Sequence, residues 1–258
     1  MPPQWRLPPG VTRGAWDYFQ SPQVAEKYDD YFAEEPLFAF DQQVLAEQFA
    51  PPGVVADLGC GTGRALVPLV RAGHRGIAVD LSPHMLRVVR EKADREQLAI
   101  ECVEANLVDL NPIADAACDY AMCLYNTLGM VRGRANRRQA LGEFARILRP
   151  GGRLVLHAHN WWFNLYDPGG PWWLLKNTLQ SAVSRDLELG DKYYSYRGVQ
   201  NFFLHVFRSR EIAADLRSAG LTITRRIPLD SRTRGSLSHP WLVSGLRAYG
   251  WVLVCRRP

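Results

Sequence analysis

The pattern of apolar and polar positions changes character near residue 53. Before that point, apolar residues recur at helical spacing in two stretches. Ser21 and Pro22 form a typical helix start, because serine caps free backbone N–H groups and proline suits the first turn. The run Pro51-Pro52-Gly53 then interrupts the helical pattern. We therefore predict a helical N-terminal cap over residues 1–50.

After residue 53, short apolar runs alternate with amphipathic stretches. Five of these runs are predicted strands, at residues 54–58, 76–80, 100–103, 120–124 and 153–157. Alternation of strands and helices is typical of βαβ units, which build a parallel sheet with helices on both faces. After a break, a helix at 209–219 and strands at 221–227 and 249–255 resume the pattern. The sequence therefore predicts an α/β fold.

The break in this alternation, residues 160–207, is rich in aromatic side chains. It holds 12 of the 28 aromatic residues of the chain, and its end predicts a β-hairpin around Gly198. We interpret residues 160–207 as a lid inserted after the fifth strand, in which large rings close a mostly apolar pocket. A satellite core beneath a long connection is the alternative. The rings concerned are Trp161, Trp162, Trp172, Trp173, Tyr193, Tyr194 and Tyr196.

A glycine-rich segment, DLGCGTG, runs from Asp57 to Gly63 directly after the first predicted strand. Open α/β sheets bind ligands at the carboxyl ends of their strands, and glycines let the backbone approach a ligand closely. Asp80 ends the second strand, where an acid suits the two hydroxyls of a ribose. Asp57 would repel a pyrophosphate, and the spacing Gly-x-Gly-x-Gly departs from that of dinucleotide sites. A ligand with a ribose, a cationic group and no phosphate, such as S-adenosylmethionine, fits better than a nicotinamide cofactor.

Three segments in order carry a resemblance to a known family. They are the loop Asp57 to Gly63, the stretch VDLSPHML from Val79, and the stretch LRPGGRLV from Leu148. Together they resemble the class I S-adenosylmethionine-dependent methyltransferases over residues 54–158, and more loosely over 205–230. The resemblance implies a Rossmann-like, mostly parallel sheet of seven strands whose last strand is antiparallel. It also implies that residues 51–258 form the cofactor-binding domain, and that S-adenosylhomocysteine is the product.

The same resemblance implies roles for individual residues at the cofactor. Asp80 would bind the ribose hydroxyls, and Asp57 would hold the loop and the ammonium side of the methionine. Asn106 occupies a position that usually carries an Asp for the adenine amine, and an amide oxygen accepts the same proton. The implied cofactor-binding set is Asp57, Gly59, Cys60, Gly61, Asp80, Leu81, Met85, Asn106, Leu107 and Leu124.

The acceptor side is predicted from the ends of the fourth and fifth strands. No Asn/Asp-Pro-Pro-Tyr/Phe motif and no Pro-Cys pair follows the fourth strand, which disfavours bases of nucleic acid as acceptors. Residues 123–128 and 159–161 are instead similar to glycine/sarcosine N-methyltransferases, with a His in place of an Arg. We therefore expect direct displacement onto a nitrogen or oxygen of a small molecule. The candidates for substrate binding or proton removal are His159, Asn160 and Tyr125.

Charge is distributed unevenly along the chain. Residues 1–131 hold 10 Lys and Arg against 18 Asp and Glu, a net charge of −8, whereas residues 132–258 hold 21 against 8, a net charge of +13. Arg132, Arg134, Arg137 and Arg138 could grip phosphates, as in an RNA- or tRNA-modifying methyltransferase. As a solvated loop and helix start they need no partner, and we favour that interpretation. An RNA enzyme and a catalytically silent S-adenosylmethionine-binding protein therefore stay open as alternatives to the small-molecule enzyme.

Composition narrows the remaining classes of protein. Hydrophobic residues make up 47% of the chain and charged residues 22%, which is typical of a globular protein rather than a disordered one. Five cysteines without a Cys-x-x-Cys pair, and no histidine pair at helical spacing, argue against disulfides and a metal site. No signal peptide or spanning segment is predicted. We expect a cytoplasmic protein with no membrane partner, and no pattern specifies an oligomeric state.

Overall fold

The computed structural model describes residues 6–33, 35–184 and 186–258. Within these ranges the helices are α1 (Arg13–Phe19), α2 (Pro22–Glu26), α3 (Tyr28–Tyr31), α4 (Leu37–Gln48), α5 (Leu66–Arg71), α6 (Pro83–Glu96), α7 (Arg134–Ile147), α8 (Gly170–Val183), α9 (Ser209–Ser218) and α10 (Ser244–Arg247). The strands are β1 (Val54–Leu58), β2 (Arg75–Asp80), β3 (Ile100–Glu104), β4 (Cys118–Cys123), β5 (Leu148–His159), β6 (Asp191–Tyr196), β7 (Val199–His205), β8 (Thr222–Leu229) and β9 (Gly250–Arg256). Two 3₁₀ helices cover Thr127–Met130 and Trp161–Tyr166.

Seven of the strands form one sheet in the order β3-β2-β1-β4-β5-β9-β8. Strands β1 to β5 are parallel to one another, and β9 inserts antiparallel between β5 and β8. This confirms the predicted Rossmann-like architecture. Strand β5 is longer than the prediction of 153–157, because Leu148 already pairs with Cys118 across a register shift. Its far end carries His159 to the same edge of the sheet as the loops after β1 and β2.

Alternate residues of β1 serve two hydrophobic cores, one on each face of the sheet. Val55 packs with α4, α5 and α6, which contribute Leu45, Leu66 and Leu86. Ala56 faces the other core, where α7 and α9 contribute large apolar side chains such as Phe144 and Leu216. Helix α4 of the N-terminal segment is thus part of the sheet's own core.

The rest of the N-terminal segment meets the hairpin β6–β7 over the carboxyl edge of the sheet. The Tyr18 ring of α1 lies 5.3 Å from Phe202 and 5.8 Å from Tyr196. A Cβ added to Gly14 would lie 2.5 Å from the Asn201 carbonyl oxygen, so only glycine allows this approach. The hairpin predicted around Gly198 is present, although its strands begin earlier than expected.

Two further expectations concern redox state and membranes. All five cysteines are free thiols, as their number and spacing indicate. Among the described residues, no helix combines the length and apolar character that crossing a bilayer requires.

Candidate functional site

A cavity of about 320 Å³ opens at the carboxyl ends of β1 to β5. Its size falls in the range of small-molecule sites. One end is formed by the loops after β1, β2 and β3, which contribute Gly59, Gly61, Asp80, Leu81, Met85, Ala105, Asn106 and Leu107. A second group of lining residues, from other elements, is polar: Glu35, Tyr125, His159, Arg234 and Tyr249. Aromatic rings of α1, α3 and the hairpin cover the cavity, including Tyr18, Tyr28, Tyr194, Tyr196 and Phe202.

The glycine loop requires glycine for two separate reasons. Gly59 and Gly61 have φ values of +83° and +52°, in the left-handed region that disfavours other residues. A Cβ on Gly59 would lie 2.4 Å from Thr127 Cγ2, and one on Gly61 would lie 3.3 Å from the Tyr28 ring. A side chain at either position would therefore press on Thr127 or Tyr28, so the loop packs tightly against these two residues in the cavity wall.

Asp80 fixes this loop to the second strand. Its Oδ2 accepts a 2.9 Å hydrogen bond from the Gly61 N–H, and its Oδ1 accepts a 2.8 Å bond from the Ser82 N–H. Burial raises the pKa of Asp80, and hydrogen bonds from the backbone N–H groups of Ser82, Gly61 and Leu81 oppose that rise. Each carboxylate oxygen keeps a further lone pair. The side chain lines the cavity, so a ligand's hydroxyl groups can bind to it.

Three of the residues implied at the cofactor lie beneath the cavity wall. Asp57 is buried in β1, and burial with the nearby charge of Asp80 raises its pKa to about 8. Cys60 is also buried, its Sγ lies 3.4 Å from the Gly61 carbonyl oxygen, and burial raises the pKa of its thiol. Leu124 belongs to the core around α4. These three side chains can support the loop, but they do not form the cavity surface.

Asn106 lies in the wall with its amide already engaged. Its Nδ2 donates a 2.8 Å hydrogen bond to the Pro9 carbonyl, and its Oδ1 accepts a 3.3 Å bond from the Val108 N–H. The side chain therefore fastens the N-terminal segment to the cavity rim, which the sequence did not indicate. Contact of Asn106 with an adenine amine stays a prediction.

Tyr125 and His157 link the polar end of the cavity to α4. Tyr125 has a φ of 54°, and its N–H donates a 3.3 Å hydrogen bond to His157 Nδ1. The other ring nitrogen of His157 lies 3.0 Å from Asp41 Oδ1, and both side chains are buried. The Tyr125 hydroxyl is buried, burial raises its pKa, and it has no hydrogen-bond partner among the described residues. A ligand in the cavity would supply that partner.

His159 is held from two sides. Its Nε2 lies 3.0 Å from the Tyr249 hydroxyl, and its backbone N–H donates a 3.0 Å hydrogen bond to Asn126 Oδ1. Burial lowers the pKa of His159 to about 3. The imidazole is therefore neutral at physiological pH, which suits hydrogen bonding to a substrate better than accepting a full proton.

Comparison with known proteins identifies the family. A family model described as a methyltransferase domain matches residues 56–156. A putative methyltransferase of Geobacillus sp. is 28% identical over 137 residues, which are 52% of this chain and 55% of that protein. The demethylmenaquinone methyltransferase of Thermus thermophilus is 38% identical over 114 residues, which are 43% of this chain and 49% of that protein. The chain thus spans about half the length of these curated relatives.

A solved structure shares the fold over most of the chain. The 1,6-didemethyltoxoflavin-N1-methyltransferase of Burkholderia thailandensis has a TM-score of 0.62 and 19% identity, covering 91% of this chain and 84% of that one. Over residues 56–156 this chain matches a methyltransferase domain, and its fold is that of the class I S-adenosylmethionine-dependent methyltransferases. S-adenosylmethionine is the cofactor of this family, which agrees with the expectation from the glycine loop and Asp80.

The predicted site residue Asn160 does not line the cavity. Its Nδ2 donates hydrogen bonds of 2.7 and 2.8 Å to the carbonyls of Gly245 and Ala248, and its Oδ1 accepts from the Trp162 N–H. The side chain is buried and caps the 3₁₀ helix that follows β5. The hydrogen bonds of the Asn160 side chain all go to backbone groups around this 3₁₀ helix, so a structural role fits it better than substrate binding.

Three polar residues of the cavity were missed by sequence reasoning. Arg234 Nε lies 3.5 Å from Glu35 Oε1, and its guanidinium lies 5.1 Å from the centre of the Tyr249 ring. Glu35 and Arg234 come from loops almost two hundred residues apart, and neither carries a local signal. Tyr249 did carry a local signal, because it begins the predicted last strand. That strand is antiparallel and pairs Gly250 with His159, so Tyr249 lies at the carboxyl edge of the parallel strands.

The structure corrects the picture of the aromatic lid. Of the seven rings expected to close the pocket, Tyr194 and Tyr196 line the cavity. Trp161 and Trp173 instead pack in a small separate core around Leu174. Trp162, Trp172 and Tyr193 are exposed. Both interpretations of the insertion are therefore realised in part: the hairpin covers the site, while the segment before it has its own core.

Three of the four arginines in the cluster pair with carboxylates of the protein. Arg134 and Arg138 donate hydrogen bonds of 2.9 and 2.7 Å to Asp215. Arg137 is fully buried and pairs with Glu188 and Glu211. These pairs join α7 to α9 and to the segment before β6. Arg134 and Arg138 are partly exposed, as expected for a solvated helix start, whereas the buried Arg137 has a structural role. Arg132, in contrast, donates a hydrogen bond to the Asp186 backbone carbonyl and forms no ion pair among the described residues.

Three side chains next to Arg137 are close enough to ligate a metal ion. One ligand atom from each of Glu188, Asp191 and His205 lies within 4.8 Å of the others. However, the nitrogens of His205 lie 2.8 Å from Asp191 and 2.9 Å from Glu211, so both are already engaged. The guanidinium of Arg137 also lies among these groups and disfavours a second cation. The expectation of no metal site stays a prediction.

Proposed function

We propose that this chain transfers a methyl group from S-adenosylmethionine to a nitrogen or oxygen of a small molecule. The observation that carries the proposal is one cavity with two chemically different ends. The glycine loop and Asp80 form one end, and Tyr125, His159 and Tyr249 form the other. Such a cavity can hold a cofactor and an acceptor side by side, which is the arrangement that a direct displacement needs.

The cofactor end fits S-adenosylmethionine in shape and in charge. The Asp80 carboxylate lines the cavity, where it can accept hydrogen bonds from ribose hydroxyls, and the backbone of Gly59 and Gly61 borders the space for the methionine part. Leu81, Met85 and Leu107 supply apolar contact for the adenine. When bound, this cofactor supplies an electrophilic methyl group, and the protein residues position it and exclude water.

At the acceptor end, the chain binds and orients rather than deprotonates. The unpartnered Tyr125 hydroxyl can bond to the acceptor, and Tyr249 keeps the His159 ring in a fixed orientation. Because the pKa of His159 is about 3, its imidazole is a weak base at neutral pH. A neutral amine needs no base before methyl transfer, so this site suits an acceptor that arrives with a free lone pair.

The comparisons support a small acceptor. The Burkholderia thailandensis structure that shares the fold contains 1,6-didemethyltoxoflavin and S-adenosylhomocysteine. Support also comes from the start of α7, where Arg134, Arg137 and Arg138 pair with carboxylates, which weakens the feature that favoured RNA. The cavity is covered by aromatic rings of α1, α3 and the hairpin, which a polynucleotide would have to displace.

Calorimetry with S-adenosylhomocysteine tests the cofactor assignment. We expect one site per chain, and Asp80→Ala should weaken binding by about 2–4 kcal/mol because a buried charged acceptor is lost. Asp94→Ala, an exposed position on α6, is the matched control. Binding of NADH in place of S-adenosylhomocysteine, or equal affinity of the Asp80 variant, would contradict the assignment.

A second measurement addresses turnover and the acceptor. Release of S-adenosylhomocysteine should be followed with panels of small amines and phenols, and with tRNA. We expect at least one small molecule to be methylated. Cofactor binding without transfer to any member would favour a silent binding protein, and methylation of tRNA alone would favour the RNA enzyme.

A further inference from the structure

Glu35 is an acidic residue of the cavity that lies apart from the glycine loop. Of the two carboxylates that line the cavity within the described residues, Asp80 is fixed to the glycine loop, and Glu35 precedes α4. Glu35 Oε1 accepts a 3.5 Å hydrogen bond from the Leu37 N–H and lies 3.5 Å from Arg234 Nε. Its Oε2 takes part in no hydrogen bond with the described part of the chain. One oxygen is therefore fixed by the protein, while the other is available to a ligand.

Glu35 lies close to the other polar residues of the cavity. Burial raises the pKa values of Tyr125 and Tyr249, and the negative charge of Glu35 adds to both rises. Arg234, the ion-pair partner of Glu35, lies 5.1 Å from the centre of the Tyr249 ring. The Tyr249 hydroxyl in turn lies 3.0 Å from His159 Nε2. These five side chains therefore form one polar group in the cavity wall.

Within this group, Glu35 is the side chain that can take up a proton at neutral pH. Burial lowers the pKa of His159 to about 3, so its imidazole is a weak base. The hydroxyls of Tyr125 and Tyr249 already carry a proton, which their raised pKa values retain. The guanidinium of Arg234 has no lone pair to offer. The Glu35 side chain keeps a free acceptor oxygen, and a carboxylate is ordinarily ionised at neutral pH.

We infer that Glu35 is a catalytic base that takes the proton lost by an aromatic amine when its nitrogen is methylated. This inference rests on the proposed function, which supplies the methyl transfer. As the nitrogen lone pair bonds to the methyl carbon, the electron pair of the C–S bond leaves with the sulfur, and the nitrogen becomes positively charged. The proton then passes to Glu35 Oε2, and the electron pair of the N–H bond stays on the nitrogen. The Glu35 carboxylic acid afterwards gives the proton to water.

The weak basicity of a carboxylate selects the class of acceptor. The ordinary pKa of a glutamic acid is about 4.3 and that of an aliphatic ammonium such as lysine is about 10.4, so a carboxylate competes poorly for the proton of a methylated aliphatic amine. The nitrogen of an aromatic amine shares its lone pair with the ring and holds an extra proton far more weakly, so a carboxylate suffices. Aromatic rings of α1, α3 and the hairpin line the same cavity and can pack against a flat acceptor.

Kinetics with two panels of acceptors, substituted anilines and the corresponding benzylamines, test the inference. We expect the anilines to be methylated and the benzylamines, which are aliphatic amines, to react poorly. Glu35→Gln should lower kcat for the anilines about 100-fold, as loss of a general base does, with KM changed less than about threefold. Acetate should restore part of the kcat of Glu35→Ala, because it supplies a carboxylate to the space that the side chain leaves. Arg234→Gln should lower kcat less than Glu35→Gln, because Arg234 takes no proton.

A binding measurement tests the same residue without turnover. Phenyltrimethylammonium carries the positive charge of a methylated aromatic amine but has no proton to lose. By calorimetry we expect it to bind the complex with S-adenosylhomocysteine, and Glu35→Gln should weaken that binding about tenfold because a charge attraction is lost. The affinity for S-adenosylhomocysteine itself should not change, which also shows that the variant is folded. The matched control is Glu26→Gln at an exposed position of α2, which should behave like the unmodified chain in both experiments.

The outcomes separate this inference from the proposed function. Transfer to benzylamines but not to anilines, or an unchanged kcat of Glu35→Gln, would overturn the inference and leave methyl transfer standing. Equal losses of kcat in Glu35→Gln and Arg234→Gln, without rescue by acetate, would make Glu35 a partner of Arg234 rather than a base. Absence of transfer to every acceptor would refute the proposed function instead, and equal binding of phenyltrimethylammonium to Glu35→Gln and to the unmodified chain would then overturn the inference independently.

Discussion

Asn126 joins three parts of the candidate site, and its removal should be costly. It lies after β4 with a φ of 60° and is fully buried. Its Nδ2 donates a 2.9 Å hydrogen bond to the His205 carbonyl at the end of β7, and its Oδ1 accepts from the His159 N–H at the end of β5. The side chain therefore ties the hairpin and the fifth strand to the loop that carries Tyr125.

The magnitude follows from the groups left behind. Asn126→Ala leaves one buried carbonyl and one buried N–H without partners, at about 1–3 kcal/mol each. Alanine tolerates the left-handed conformation less well than asparagine, which adds about 1 kcal/mol. We therefore expect the free energy of unfolding to fall by about 3–7 kcal/mol, a large part of the usual stability of a domain.

Urea unfolding measures this loss, with Asn111→Ala on an exposed turn as the control that should change stability by less than about 0.5 kcal/mol. Because the glycine loop is untouched, the folded Asn126 variant should keep its affinity for S-adenosylhomocysteine while KM for the acceptor rises. A loss below about 1 kcal/mol would refute the structural reasoning. A loss of cofactor affinity equal to the loss at the acceptor would refute the local role.

Two further predictions concern pH. The pKa of His159 is about 3 in the folded protein and about 6.5 in the unfolded chain, so unfolding takes up a proton between these values. Stability should fall as pH drops below about 6.5, by about 2 kcal/mol at about pH 5, and His159→Gln should remove this dependence in urea titrations. The pKa of Asp57 shifts the other way, from 3.8 to about 8, so stability should fall as pH rises through that window. Asp57→Asn should therefore raise the Tm of the cofactor-free protein near pH 8 but not near pH 4, and an unchanged Tm at the higher pH would mean that the carboxyl group is already ionised there.

The sequence alone determined the sheet and the cofactor end of the site. Strands β1, β2, β4 and β5 lie inside the sheet and are mostly buried, so they appear as short apolar runs that the local pattern reveals, whereas β3 is a partly exposed edge strand. The loop after β1 has left-handed backbone at Gly59 and Gly61, a conformation that favours glycine, so the glycine spacing in the sequence predicts the loop. Asp80 follows from its position at the end of β2, because parallel strands end at one edge.

The tertiary structure alone decided the acceptor end and the surfaces. Glu35, Arg234 and Tyr249 meet His159 through the paths of separate loops, which no periodicity specifies. No local pattern specifies the contacts of Asn106 with Pro9 or of Asn160 with α10 either. These contacts engage side chains that the sequence had placed in the site. Helical spacing made one side of α8 apolar, but it did not say whether that side would be covered. Local sequence fixes backbone conformation and burial pattern, whereas pairing between distant polar side chains depends on the packing of the whole chain.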